Sequence, residues 1–135
     1  MIKKLNHVAV VVPDIDAALE FWCGALGLKL GLVKEMPEQE VEVIFLTVGQ
    51  GAIELVRPTN DESSIAHVLS KRGPGVHHIA LEVYDLERII KRLLDKGVRL
   101  INDVPMAAAD GGRVAFVHPD SASGVLLELY ESAPE

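Results

Sequence analysis

The sequence repeats itself once, and this repeat constrains the fold more than any other feature. Residues 5–12 and 76–83 are both rich in strand-forming residues, and each has a histidine in its third position and an alanine two residues later. An aspartate suited to cap a helix follows each run, as Asp14 and Asp85. The chain is therefore predicted to contain two similar halves.

The elements that follow keep the same order in both halves. Apolar side chains recur at helical spacing after each aspartate, and Gly27 and Gly97 stand where a left-handed C-terminal cap is expected. Predicted strands then cover residues 28–33, 41–48 and 52–56 in the first half and 98–101, 113–117 and 124–130 in the second. The sequence thus predicts an α+β fold, a single domain over all 135 residues built from two tandem βαβββ modules. The modules cover about residues 4–58 and 75–131, and a linking helix at about 62–73 lies between them.

Composition excludes several classes of function. Thirteen basic and twenty acidic residues give a net charge of −7, which argues against binding to nucleic acid or to an anionic membrane. The single cysteine, Cys23, excludes an intramolecular disulfide and a cysteine-rich zinc site. The sequence has no run of about 18 apolar residues and no signal-peptide pattern, so we expect a soluble cytoplasmic protein.

Four polar residues stand in strands where apolar side chains should form a core. His7 and His78 share a strand face with the alanine two residues later, because side chains alternate between the two faces of a strand. In the last strand of each half a carboxylate interrupts an apolar run, as Glu54 and Glu128. A lone glutamate in a strand usually faces solvent, but here the same costly arrangement occurs twice at matching positions. Two imidazoles and two carboxylates meeting across a pseudo-twofold axis would form a site for zinc, cobalt, nickel, manganese or iron, enclosed by a curved mixed sheet.

Several segments around these residues carry a family resemblance. They are Asn6-His7-Val8-Ala9, Pro37-Glu38-Gln39, Ile53-Glu54-Leu55-Val56-Arg57-Pro58, Asn60-Asp61-Glu62-Ser63, Gly75-Val76-His77-His78-Ile79-Ala80, His118-Pro119 and Gly124-Val125-Leu126-Leu127-Glu128-Leu129. They resemble the vicinal oxygen chelate superfamily, which includes glyoxalase I and the extradiol dioxygenases. Within it the chain most closely resembles the methylmalonyl-CoA epimerase family, from about Leu5 to Tyr130.

The resemblance implies a site and a reaction. It implies a divalent metal ion, such as cobalt, zinc, manganese or nickel, held by His7, Glu54, His78 and Glu128. The family interconverts (2R)- and (2S)-methylmalonyl-CoA, a reaction of propionate metabolism, by removing and returning the proton on carbon 2. A divalent ion chelating the thioester and carboxylate oxygens would stabilise the enolate. Glu128 is implied as one base as well as a ligand, and a homodimer that binds a small acyl-CoA is expected.

Two details of the site stay open in the sequence. His77 points to the strand face opposite His78 and is the alternative ligand, although parity with His7 favours His78. One member of the family has a glutamate six residues after the proline of Pro-Glu-Gln, a position that is Val43 here, and other epimerase-like sequences also lack this acid. The neighbouring Glu42 would need a bulge or a register shift to reach the same face. The second proton carrier is therefore unassigned, and a metal-bound water is an alternative to a side chain.

Two other functions compete with an epimerase. A glyoxalase I-type lyase would use the same two histidines and two glutamates, whereas a metal-independent small-molecule binding protein of the same fold would need none of them. An extradiol dioxygenase fits less well, because its iron takes two histidines and one carboxylate. The phosphates of a coenzyme A thioester need cations to bind them, and the candidates are Lys71, Arg72 and Arg113. A role in the solubility of the surface accounts for these three cations equally well.

Overall fold

A computed structural model describes residues 1–108 and 110–134. Contacts between residues divide the chain into two compact units. The first unit is His7–His77, and the second contains Met1–Asn6 and the residues from His78 onward. Strand β1, Ile2–Val11, contributes its second half to the first unit and its first half to the second unit.

The first unit is a four-stranded sheet with two helices. The elements are β1, α1 (Ile15–Leu19), a π-helical turn (Glu20–Ala25), β2 (Lys29–Met36), β3 (Val41–Val48), β4 (Gly51–Pro58) and α2 (Ser64–Arg72). The strand order is β2-β3-β4-β1, with β1 parallel to β4 and the other pairs antiparallel. Asp14 caps α1 by accepting hydrogen bonds from the N–H groups of Asp16 and Ala17, as the sequence predicts.

Both faces of this sheet carry apolar side chains, since successive strand residues point to opposite sides. On one face the buried residues are Val12, Ile15, Ile44, Leu46 and Leu55, which pack with partly buried residues of α1 and the π-helical turn. On the other face Ala9, Val41, Val43 and Val56 form a second cluster, and Ile65 of α2 packs on it. The second face also carries His7, so the candidate site lies beside an apolar cluster.

The second unit repeats the plan with one helix. Its elements are the first half of β1, β5 (Gly75–Val83), α3 (Leu86–Asp95), β6 (Met106–Ala107), β7 (Arg113–Val117) and β8 (Leu126–Glu131). The strand order is β1-β5-β8-β7-β6, with β5 parallel to β8. The buried residues Val83, Leu86, Ile89, Ile90, Ala115, Val117 and Leu129 pack α3 against one face of the strands.

The predicted strand over residues 98–101 is wrong. This segment makes a single isolated bridge, between Leu100 and Val117, and the short β6 lies further along the chain. Asn102 explains the difference, because its side-chain amide takes hydrogen-bonding positions of a strand neighbour: it accepts from Phe116 N–H (2.8 Å) and donates to the Val114 carbonyl (3.2 Å). The other elements of the duplicated α+β plan are confirmed, with ends shifted by a few residues.

A carboxylate at the end of β8 accepts a hydrogen bond from the first turn of α3. Asp85 caps the helix, and Glu131 accepts a hydrogen bond from Leu86 N–H at 2.8 Å. Glu131 also accepts from the Arg113 guanidinium, at 3.2 Å from Nε and 2.6 Å from Nη2. Burial acts to raise the pKa of Glu131, but the bonds from Leu86 and Arg113 outweigh it and hold this pKa below its ordinary value.

The described helices are also too short to span a membrane. Among the residues described, none of the helices has the length and apolar character needed to span a membrane. The longest of them, α3, has 10 residues, whereas a membrane-spanning helix needs about 20.

Candidate active site

The first unit brings His7 and Glu54 together. His7 lies on β1, and Glu54 lies on the parallel strand β4, opposite Ala9. His7 Nε2 is 2.9 Å from Glu54 Oε2, and the two side chains are only 11% and 12% exposed. Phe45 of β3 lies opposite Glu54 and meets the His7 ring edge-on, with 6.4 Å between ring centroids. The carboxylate therefore stands in a largely dry site beside an imidazole and a phenyl ring.

The second unit brings His78 and Glu128 together in the same way. His78 lies on β5, and Glu128 lies on the parallel strand β8, opposite Ala80. His78 Nε2 is 3.7 Å from Glu128 Oε1, and the side chains are 13% and 15% exposed. Phe116 of β7 lies opposite Glu128, as Phe45 does opposite Glu54 in the first unit. The register of the strands thus reproduces the sequence repeat residue by residue.

The donor set of each pair fits a divalent metal ion. An imidazole nitrogen and a carboxylate oxygen are both ligands for first-row divalent metals, and each pair supplies one of each. A largely buried carboxylate is costly unless it is paired or coordinates a cation. The same residue types at equivalent register positions in both units therefore match what such a metal site requires.

His77 lies on the other face of β5 from His78. Burial lowers the pKa of His77, the nearby positive charge of Arg72 acts in the same direction, and the negative charge of Glu54 opposes them. The geometry pairs Glu128 with His78, which corresponds in the repeat to His7. His78 is therefore the better candidate for a ligand, in line with the sequence parity.

The position where the resembling family has its other glutamate is apolar here. Val43 is 2% exposed and packs with Ala9, Val41 and Val56. Strands β3 and β4 keep a regular register throughout, without the bulge that would turn Glu42 to the same face. Arg57 lies opposite Glu42 and donates to it at 3.1 Å, so Glu42 forms an ion pair there.

Two polar residues near the second pair have no counterpart in the first unit. Glu82 is 6% exposed, accepts a hydrogen bond from Asn6 at 3.3 Å and pairs with Lys3 Nζ at 3.1 Å. Tyr130 lies opposite Glu82 and donates to Asp110, and burial followed by the interactions with Asp110 raises its pKa to about 12.

The equivalent pair in the first unit is Val11 opposite Val56. Sequence reasoning missed the importance of this difference, although Glu82 is the one charged residue of its predicted strand. The two units thus differ in polarity two strand positions beyond each alanine.

The cations considered for phosphate binding differ in what they contact. Arg113 pairs with Glu131 at 2.6 Å and with Glu87, so its charge is already matched by two carboxylates. Arg72 donates to the Val76 carbonyl at 3.5 Å. His118 caps a 3-10 turn, Pro119–Ser121, by accepting from Asp120 N–H, which gives the His-Pro motif a structural role.

Comparison with known proteins agrees with this geometry. A family model described as the Glyoxalase/Bleomycin resistance protein/Dioxygenase superfamily matches residues 6–116. An ethylmalonyl-CoA/methylmalonyl-CoA epimerase of Cereibacter sphaeroides is 40% identical over 131 residues, which are 96% of this chain and 98% of that protein.

Solved structures are similar over nearly the whole chain. The methylmalonyl-CoA epimerase of Mycobacterium tuberculosis has a TM-score of 0.85 at 36% identity, covering 98% of this chain and 90% of that one. A variant of the Streptomyces coelicolor methylmalonyl-CoA epimerase in complex with 2-nitronate-propionyl-CoA has a TM-score of 0.83 at 34% identity, covering 99% and 100%.

Proposed function

The chain belongs to the glyoxalase/bleomycin resistance protein/dioxygenase superfamily, and within it we propose that it is a methylmalonyl-CoA epimerase, an isomerase. The reaction interconverts the (2R) and (2S) forms of an acyl-CoA thioester by removing and returning the proton on carbon 2. The observation that carries the proposal is the pair of partly buried histidine–glutamate contacts at equivalent register positions, in a chain that is 40% identical to an ethylmalonyl-CoA/methylmalonyl-CoA epimerase.

We propose that His7, Glu54, His78 and Glu128 together hold one divalent metal ion. The nitrogen–oxygen distances of 2.9 Å and 3.7 Å within the two pairs and the low exposure of all four side chains support this assignment. When bound, such an ion would supply positive charge to the substrate oxygens on which negative charge develops as the proton leaves. Cobalt, zinc, manganese and nickel all accept this donor set.

The two glutamates are also the proposed proton carriers. Epimerisation requires one acid/base group for each face of carbon 2. Glu128 is one, as the family resemblance implies. We assign the other to Glu54, because it occupies in the first unit the register position that Glu128 occupies in the second. Neither of the neighbours considered for this role is available, since Val43 carries no proton and Glu42 pairs with Arg57.

Proton exchange at carbon 2 tests the function. The metal-loaded protein is incubated with one epimer of methylmalonyl-CoA in deuterated water, and the product is followed by NMR. We expect both deuterium entry at carbon 2 and appearance of the other epimer. If neither occurs while the hemithioacetal of methylglyoxal and glutathione is converted, the protein is a glyoxalase I-type lyase instead.

We further propose a homodimer and a cytoplasmic location. Support for the dimer comes from β2, which stands at the edge of the first unit's sheet and exposes Leu30, Leu32 and Val33. An exposed apolar edge strand is normally covered by another chain. Sedimentation equilibrium should give twice the mass of one chain, and a monomer at every concentration would contradict the proposal.

A further inference from the structure

The outward face of α3 is strongly basic. Leu86, Ile89 and Ile90 bury the inward side of this helix. The outward side carries four cations and one acid, and together these line an open groove of about 390 Å³: Arg88, Lys91, Arg92, Lys96 and Asp95. We call the four cations the α3 basic face. Its charge with Asp95 included is 4 − 1 = +3, in a chain whose net charge is −7.

Most of this charge is unmatched by neighbouring acids. Lys91 Nζ lies 2.8 Å from Asp95 Oδ2, and this hydrogen bond raises the pKa of Lys91. Within residues 1–108 and 110–134, Arg88, Arg92 and Lys96 have no side-chain partner. Two guanidinium groups and an ammonium group are therefore left to bind something else.

The arrangement is unfavourable at the start of the helix, whereas the helix dipole favours Arg92 in the last turn. Arg88 lies in the first turn, where the positive end of the helix dipole repels a cation. Arg88 and Arg92 are four residues apart, as are Arg92 and Lys96, so like charges repel along the face. Arg88 therefore weakens the helix locally, which favours a role for this residue in binding.

The catalytic residues do not need this charge. The helix packs on the side of the strands that carries Val83 and Leu129, whereas His78 and Glu128 alternate to the other side. A substrate held at His78 and Glu128 therefore lies across the strands from the α3 basic face.

We propose that the α3 basic face docks an acidic segment of a partner protein. Guanidinium groups bind carboxylates with two parallel hydrogen bonds, and two of them line this groove. The groove has no aromatic lining on which a nucleobase would stack. The net charge of −7 opposes long polyanions, and the apolar side of α3 is buried and unable to insert into a membrane. A short acidic segment meets only the local positive field.

The test measures binding of a fluorescently labelled octaglutamate peptide by anisotropy. The full-length protein is compared with the double variant Arg88→Glu/Arg92→Glu and with a charge-matched control, Lys71→Glu/Arg99→Glu, at exposed positions outside α3. We expect the control to bind like the wild type, and the α3 variant to bind at least about tenfold more weakly. Raising the salt from about 50 mM to about 300 mM should weaken wild-type binding. Urea unfolding midpoints and epimerase activity, both expected to be unchanged in the α3 variant, show that its fold is intact.

Three outcomes would overturn the proposal. The wild type could fail to bind the peptide, or the α3 variant could bind it as tightly as the control does. A single-stranded oligonucleotide or a vesicle containing phosphatidylserine could bind the wild type more tightly than the peptide does and lose binding in the α3 variant. The last result would assign the face to nucleic acid or to a membrane.

Discussion

Replacing Glu131 with glutamine tests how the second unit holds its helix. The glutamine keeps an oxygen that can accept from Leu86 N–H, but it loses the charge that strengthens this bond and the pairing with Arg113. A hydrogen bond to a charged group contributes roughly 1.5–3 kcal/mol, against about 0.5–1.5 kcal/mol for a neutral one. We therefore expect the free energy of unfolding to fall by about 1 kcal/mol at neutral pH. For a chain of this length this is a fall of roughly 3–4 °C in Tm.

The effect should depend on pH in a defined direction. The pKa of Glu131 is lower in the folded protein than its ordinary value of 4.5, so the charged form is favoured by folding. Its contribution is fully present above that ordinary value and is lost as the pH falls through the lowered pKa. The difference between wild type and Glu131→Gln should therefore be constant from neutral pH down to about pH 5.5 and shrink on further acidification.

Urea unfolding followed by circular dichroism measures this difference across that pH range. The matched control is Glu87→Gln, which removes the same charge from a partner of the same Arg113, at a side chain that is 63% exposed. We expect this control to change stability by less than about 0.5 kcal/mol. Equal effects of the two substitutions, or a difference for Glu131→Gln that stays constant below its ordinary pKa, would refute the reasoning.

Three further results are expected. Leu55→Ala should lower the free energy of unfolding by about 2–5 kcal/mol in urea titrations, because Leu55 is fully buried, whereas Leu26→Ala at an exposed position should cost less than about 0.5 kcal/mol. At saturating metal, which the glutamine oxygen can still bind, Glu54→Gln and Glu128→Gln should each retain deuterium exchange from one epimer only, without inversion. Exchange from both epimers in either variant would remove that glutamate as a proton carrier. Tyr130→Phe should abolish an ultraviolet titration step near pH 12, and its persistence would show that another group produces it.

The duplicated plan was predictable because its signals are local. Asp14 and Asp85 cap their helices as the sequence predicts, and Gly27 and Gly97 take the positive φ angles of 89° and 77° expected of helix ends. The histidine–glutamate pairs were predictable from the alternation of side chains along each strand and from the repeat. A wrong assignment of strand faces would have had to occur in both halves. The role of the four residues as metal ligands stays a prediction.

The features that sequence reasoning missed depend on contacts between distant segments. Asn102 replaces a strand neighbour with its own side chain, and no periodicity reveals such a substitution. The first six residues belong to the second unit, although the rest of β1 belongs to the first. The pattern of polar and apolar residues in one strand does not show which strands lie beside it. Glu82 is buried because Lys3 and Asn6 reach it from β1, 76 or more residues away along the chain.

The two units keep some residues of the repeat and differ at others. Both keep the histidine, the alanine, the glutamate and the phenylalanine opposite it. Beyond these positions the first unit has Val11 opposite Val56, and the second has Glu82 opposite Tyr130. Each unit thus keeps these four residues, while the positions around them differ in polarity.

Deuterium exchange at carbon 2, measured as a metal-free preparation is titrated with cobalt, tests the central claim most directly. The wild type should show no exchange without metal, a linear rise with added metal, and saturation at about one equivalent per chain. His78→Ala should show none at the same metal concentrations. Full exchange in the metal-free wild type, or in His78→Ala, would contradict a metal site formed by the two histidine–glutamate pairs.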